Sequence, residues 1–255
     1  MADPGRLNRR ELVEGIRVVL GRELSAYFDS PIAYVYTAVF LVLSGTVFMN
    51  DFFLNAVLDM SAWFRVLPFL LIPFVPAITM RSWAEEHAQH TFELLMTLPL
   101  QPVQTVLGKF LAALGFFALT LLGSLPIPLM LVWLGNPDLG VVVAGYLGAL
   151  CLGGLFLSVG LFASALTRDQ VIAFVVAGLL GFALVLSGHP RVVEVLDGLA
   201  PALQAGTWLQ TSLSALPRYE AMTRGLLRLA DLVYFVLMSG FFLGLNLLIL
   251  QRSRY

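Results

Sequence analysis

The sequence predicts an all-α integral membrane protein with six transmembrane helices, and three observations carry that prediction. Hydrophobic residues make up 59% of the 255 residues and charged ones only 12%, about half the charged share of a soluble domain. The mean hydropathy is +0.87, which implies more apolar surface than a soluble fold can hide. The apolar residues fall in six runs, at about 32 to 50, 64 to 80, 106 to 134, 139 to 166, 171 to 188 and 232 to 250, each near or above the roughly 20 residues that a bilayer core requires. A net charge of −1 and a pI near 6.3 speak against a nucleic-acid partner, which needs a clustered positive excess. The single cysteine, Cys151, lies in an apolar run and reads as a small lipid-facing or helix-packing residue, with no disulfide framework and no Cys-rich metal site. The whole chain, 1–255, reads as one transmembrane domain.

Taken in order, residues 9–28 are expected to form an amphipathic helix lying in the headgroup plane. Leu12, Val13, Ile16, Val19, Leu20, Leu24 and Tyr27 share one stripe, with Arg10, Glu14 and Arg17 opposite. Glu23 interrupts that stripe. Its carboxylate either turns back to water or a neighbouring Arg, or forms a buried ion pair that joins this helix to the polar segment downstream. No short apolar core with a small-residue cleavage site precedes residue 32, so no cleavable signal is expected. Pro68, Pro73 and Pro76 in the second run, and Pro126 and Pro128 in the third, predict kinked or broken helices. Gly145, Ala149 and Gly153 recur every four residues in the fourth run, as do Ala173, Ala177 and Gly181 in the fifth. Such spacing lets helix backbones approach, so these faces are expected to seal the fourth helix against the fifth or another neighbour. The links at 135–138 and 167–170 are short, which makes the third, fourth and fifth runs antiparallel hairpins. The link 189–231 is long. Val192, Val193, Val195, Leu196 and Leu199 make it too apolar for a floppy loop, yet it is too short for an independent core, so it is expected to fold back onto the membrane as short helices.

An even number of spans returns the chain to its starting side. With a cytoplasmic N-terminus the inside loops carry Arg6, Arg9, Arg10, Arg17, Arg22, Arg81, Lys109, Arg168, Arg252 and Arg254, ten of the fifteen basic residues. Arg65, Arg191, Arg218, Arg224 and Arg228 fall outside. This asymmetry satisfies the positive-inside bias and makes 81–109 and 167–170 cytoplasmic, 189–231 external, and both termini cytoplasmic.

The stretch from 81 to 99 is the most polar in the middle of the chain. Glu86, His90 and Glu93 recur at i, i+4 and i+7 on one helix face, while Trp83, Phe92, Leu95 and Met96 make the remainder partly apolar. Glu86 and Glu93 differ by about 20° around a helix, so both carboxylates can face one partner that presents Arg or Lys. The Gly108-Lys109 that follows is no P-loop: Phe110 stands where Ser or Thr should ligand magnesium, and Val103 where the first glycine should be. The chain is therefore not expected to bind ATP or to act as an enzyme by itself. Lys109 reads as a snorkelling anchor at the cytoplasmic start of the third helix. Two other classes stay open. Glu85, Glu86, His87, His90 and His189 superficially suit an intramembrane protease or metalloenzyme, although a metal needs three or four convergent ligands and the apolar runs supply almost none. A non-transporting scaffold that anchors a motility or secretion machine would have the same hydropathy profile.

Several motifs in this order carry a family resemblance: Ile78-Thr79-Met80-Arg81, Glu85-Glu86, Thr91, Glu93-Leu94-Leu95, Thr97-Leu98-Pro99 and Gly108-Lys109. Upstream stand Arg22-Glu23-Leu24 and Ser30-Pro31, downstream the stretch Leu166 to Phe174, then Arg224-Gly225, Asp231 and Tyr234-Phe235. On these the chain resembles the type-2 ABC export permeases over most of its length, and most closely their gliding-motility permease (GldF) branch. His90 departs from the glycine usual at its position. The resemblance implies that 81–99 is a cytoplasmic coupling segment, with Arg81, Glu85, Glu86, His90, Thr91, Glu93 and Thr97 as its ATPase-facing residues. It favours Glu23 as a contact between the interfacial helix and that segment, and makes the short helices of 189–231 re-entrant caps on the outer end of a pathway. It further implies a bacterial inner-membrane location and a separate soluble ATPase, two copies of it, which binds the ATP and Mg. A second permease copy or a homologous permease would complete the pathway among membrane lipids, with room for a large extracytoplasmic auxiliary domain fused to or paired with it.

Overall fold

The computed structural model of the chain describes residues 9–55, 58–89, 101–199 and 204–252. Every regular element among them is a helix: α1 (Arg9–Asp29), α2 (Pro31–Asn55), α3 (Ser61–Thr79), α4 (Arg81–Ala88), α5 (Pro102–Leu122), α6 (Pro126–Leu134), α7 (Leu139–Ala165), α8 (Gln170–Leu186), α9 (Pro190–Leu199), α10 (Ala205–Ser212), α11 (Leu216–Thr223) and α12 (Leu229–Arg252). Five stretches are long and apolar enough to cross a membrane, namely Pro31–Asn55, Ser61–Ala88, Pro102–Leu134, Leu139–Ala165 and Leu229–Arg252. These make a multi-pass membrane protein the reading of the fold.

The sixth expected span takes a different form. Helix α8 has 17 residues, about 25 Å at 1.5 Å per residue, which falls short of the roughly 30 Å hydrocarbon core. It joins α9 through an 82° bend, and only the bent pair counts as a span. Pro190 accounts for the corner. It has no N–H to extend α8, it disfavours helical geometry at His189, and it suits the first position of a new helix. Pro126 acts likewise in the third run, which divides into α5 and α6 yet remains one stretch of 33 residues. In α3 the three prolines leave the helix unbroken from Ser61 to Thr79, and only Met80 separates it from α4. Carboxylates start two of the long helices: Asp138 accepts from the amides of Gly140 and Val141, and Asp169 from those of Val171 and Ile172, each satisfying donors that a helix N-terminus leaves open.

Helix α7 is the hub and touches α3, α4, α5, α8, α11 and α12. Its small residues explain how closely they approach. A Cβ at Gly145 would meet the Phe64 ring of α3, and one at Gly153 the Phe117 ring of α5; Ala149 between them is fully buried. This face therefore receives aromatic rings from the second and third spans. Ala173, Ala177 and Gly181, with Leu184 and Val185, are the buried positions of α8, which packs on α7 and α3. The long link forms the three short helices α9, α10 and α11. The Tyr219 hydroxyl of α11 donates to the Phe64 carbonyl at 2.7 Å, and Asp197 accepts from the Gly206 amide and the Thr207 hydroxyl at 2.7 and 2.6 Å, tying α9 to α10.

Candidate functional site

Three helices converge at one end of the bundle: α1, α4 and the first turns of α5. Helix α1 lies along α5 and also touches α2. Its inward residues run Leu12, Gly15, Ile16, Val19, Leu20, Glu23, Leu24 and Tyr27, a helical stripe. Val13, expected on that stripe, is 60% exposed. The close approach depends on Gly108, where a Cβ would stand 2.6 Å from the Val19 side chain and 3.3 Å from the Ile16 carbonyl. One turn earlier the buried Gln104 closes the seam. Its amide donates to the Glu11 carbonyl at 3.0 Å and its oxygen accepts from the Gln101 amide at 2.7 Å.

Lys109 follows Gly108 and so emerges into the seam. Its side chain is 2% exposed. The ammonium donates to Glu23 Oε1 at 3.1 Å, Glu86 Oε1 at 2.8 Å and the Ser82 carbonyl at 2.8 Å, which uses all three of its donors. It also stands 4.8 Å from the centre of the Trp83 ring, within cation–π range. Arg22 lies 2.5 Å from Glu23 Oε1 and 3.3 Å from Glu86 Oε1. Two cations and two carboxylates thus form one formally neutral cluster across α1, α4 and α5. Lys109 does not snorkel to water as its position in the sequence suggests. The carboxylates come to it, because α1 and α4 roof the helix from which it projects. Burial alone would push the Glu23 carboxyl up, but the charge of Lys109 and the hydrogen bonds from Arg22 and Lys109 outweigh burial and hold it below its ordinary value. Tyr27 moves the other way: burial, reinforced by the Glu23 charge, raises its hydroxyl well above the usual phenol range.

A second fixture sits on the other flank of α4. The Ser164 hydroxyl near the end of α7 accepts from the Trp83 and Ala84 amides, both at 3.1 Å, and donates to the Met80 carbonyl at 3.1 Å. Helix α4 has no cap from its own preceding residue, so a side chain on another helix supplies one. Just below, Gly160 leaves room for Thr79, whose hydroxyl a Cβ would strike. Between α1, α2, α3, α4 and α5 opens a cavity of about 430 Å³ whose lining includes Glu23, Tyr36, Arg81, Glu85, Glu86 and Phe116.

Of the residues singled out from sequence, the structure brings Glu23 and Glu86 together on Lys109, and lines the cavity with Arg81 and Glu85. Glu86 faces into the chain, on Lys109, and does not present the outward carboxylate expected of it. His90, Thr91, Glu93 and Thr97 lie outside the described residues. Gly145, Ala149, Gly153, Ala173, Ala177 and Gly181 are buried in the bundle interior and belong neither to the ion cluster nor to the lining of the cavity. Sequence reasoning missed Lys109 as the hub, and Gly108 and Ser164 as its supports. One signal was there: Lys109 is the only charged residue in the stretch 102–137, and a lone ionisable group in an apolar span usually has a buried partner.

No protein-family model matches this chain, and no curated protein matches it.

Proposed function

We propose that the chain is the transmembrane permease subunit of an ATP-driven ABC exporter, coupling hydrolysis by a separate soluble ATPase to export or mechanical work across a bacterial inner membrane. One observation carries the reading: the ion cluster on Lys109 ties α1, α4 and α5 into one unit at one end of the bundle, and Ser164 ties α4 to α7. A force applied to α4 therefore moves four elements together, and α4 itself continues α3 in a single stretch of 28 residues. This is what a lever worked by a soluble motor needs. The resemblance of 78–109 to the coupling segment of type-2 export permeases supports the same assignment.

On this reading α1 lies in the headgroup plane, 81–99 is the cytoplasmic coupling segment, and α9 to α11 are re-entrant caps at the far side. The ATP and Mg belong to two ATPase copies beneath, and the route forms against a second permease copy or a homologous permease. Glu93 and Thr97 face the ATPase, while Glu23 and Glu86 hold the lever to the bundle. The test is affinity purification of the tagged chain from its native membranes at several salt concentrations. A P-loop ATPase should co-purify with the wild type and be lost at lower salt with Glu93→Arg, since a close charge pair across an interface contributes about 0.5 to 3 kcal/mol. Absence of any such ATPase from a folded, inserted preparation would reject the exporter reading.

A further inference from the structure

The cavity beside the ion cluster has two ends of opposite chemistry. Lys109 stands at its polar end and Phe116 at its apolar end, seven residues or about 10 Å apart along α5. At the polar end, the cluster of Arg22, Lys109, Glu23 and Glu86 is already neutral. The remaining lining charges are Arg81 and Glu85, which occupy i and i+4 of α4. Arg81 makes no ion pair among the described residues, and Glu85 accepts only from the Gln89 side chain, at 3.0 Å. One cation and one anion, a helical turn apart, complement a zwitterion. At the apolar end, Phe116 stacks on Tyr27 at 5.0 Å and lies 6.1 Å from Tyr36, with Ala33 and Ile78 beside them. The Tyr36 hydroxyl is buried and has no hydrogen-bond partner among the described residues. A buried hydroxyl left this way is costly unless something from outside the chain pairs with it.

We infer that this cavity binds an aminophospholipid of the bilayer. The phosphate pairs with Arg81 and the ammonium with Glu85. The Tyr36 hydroxyl donates to a glycerol ester carbonyl, and the upper part of an acyl chain lies against Phe116 and Ile78. The volume of about 430 Å³ is that of a small-ligand pocket, large enough for a headgroup and the start of a chain. Since α1, α2, α3 and α5 all border it, the lipid fills the wedge between the long helices and the helix roofing them. The inference rests on the chain being a membrane protein and not on the exporter reading. Its test includes no ATPase, so the two readings fail separately.

The experiment is native mass spectrometry of the full chain released from nanodiscs of equal parts phosphatidylethanolamine, phosphatidylglycerol and phosphatidylcholine. The expected result is one retained phosphatidylethanolamine per chain, preferred over phosphatidylglycerol. Arg81→Ala with Glu85→Ala should reduce the occupied fraction about tenfold and Tyr36→Phe about threefold, while Tyr34→Phe, on the exposed side of the same helix, should leave it unchanged. Tyr36→Phe removes only a hydroxyl, so the measurement does not depend on the double variant folding. Equal retention of phosphatidylglycerol would overturn the inference. So would occupancy indifferent to both the double variant and Tyr36→Phe. Displacement by free phosphoethanolamine would also overturn it, since a soluble headgroup compound and not a lipid would then be the occupant.

Discussion

Lys109 shows how a single side chain can hold a membrane fold together at its edge. A lone ammonium in so dry a place would be untenable, and two carboxylates without it would repel. Together with Arg22 they cancel, and the ammonium reaches Glu23 at 3.1 Å and Glu86 at 2.8 Å. The arrangement has a pH signature through Glu23. Its carboxyl is held below the ordinary 4.5, so the folded state binds this proton less readily than the unfolded chain does. The stabilisation is therefore complete above pH 4.5 and is lost as pH falls through the lower folded value. Thermal unfolding of wild type and Glu23→Gln in detergent should differ by a constant Tm gap above pH 4.5 that narrows below it. A gap that widened on acidification would mean that Glu23 is not held as a carboxylate by its neighbours.

At the scale of elements, the seam between α1 and α5 is made by a missing side chain. Gly108→Ala would drive a methyl to within 2.6 Å of the Val19 side chain, and overpacking of this kind costs about 1 to 3 kcal/mol. The Ala variant should lower the Tm, and adding Val19→Gly should recover part of the loss, because it removes both the Cβ and the Cγ1 that stand in the way. A double variant no better than the single would place the strain elsewhere. The seam also marks how far the sequence could be read. Helix identity was legible in the long runs, because stretches such as 139–166 and 232–250 are long, apolar and free of proline, and observed α7 and α12 follow them closely. The break at Pro126 was signalled by proline chemistry, whereas the three prolines of α3 leave it continuous, and neither the corner at Pro190 nor the length of α8 set against the bilayer was weighed. The stripe on α1 was legible except at Val13. At the candidate site, Glu23 stood out as a carboxylate among apolar neighbours, whereas Lys109 did not, since a lysine near a helix end has two plausible fates. Which fate applies depends on α1 lying across it, a contact between residues 86 positions apart that no local pattern encodes. Ser164 was invisible for the same reason, being 80 residues from the amide it serves.

At the scale of the whole molecule, the prediction concerns which side of the membrane each end occupies. The proposed topology assigns α4 to the cytoplasm and α9 to α11 to the far side on the charge bias, and α4 and α9 belong to opposite ends of the α7–α8 hairpin. Single cysteines at Gln89 and Glu194 in a Cys151→Ser background should label from opposite faces in sealed vesicles. Labelling of both positions from the same side would invert or dissolve the proposed topology. The borrowed cap on α4 has a further consequence, one of timing. Ribosomes add about 5 to 20 residues per second, so the 80 residues between Ala84 and Ser164 take roughly 4 to 16 seconds to make. Throughout that interval α3 and α5 can already be in the bilayer, but α4 has no hydroxyl to start its first turn. A nascent chain stalled short of residue 164 therefore carries an α4 whose first turn lacks this cap, weaker there by about 0.5 to 2 kcal/mol.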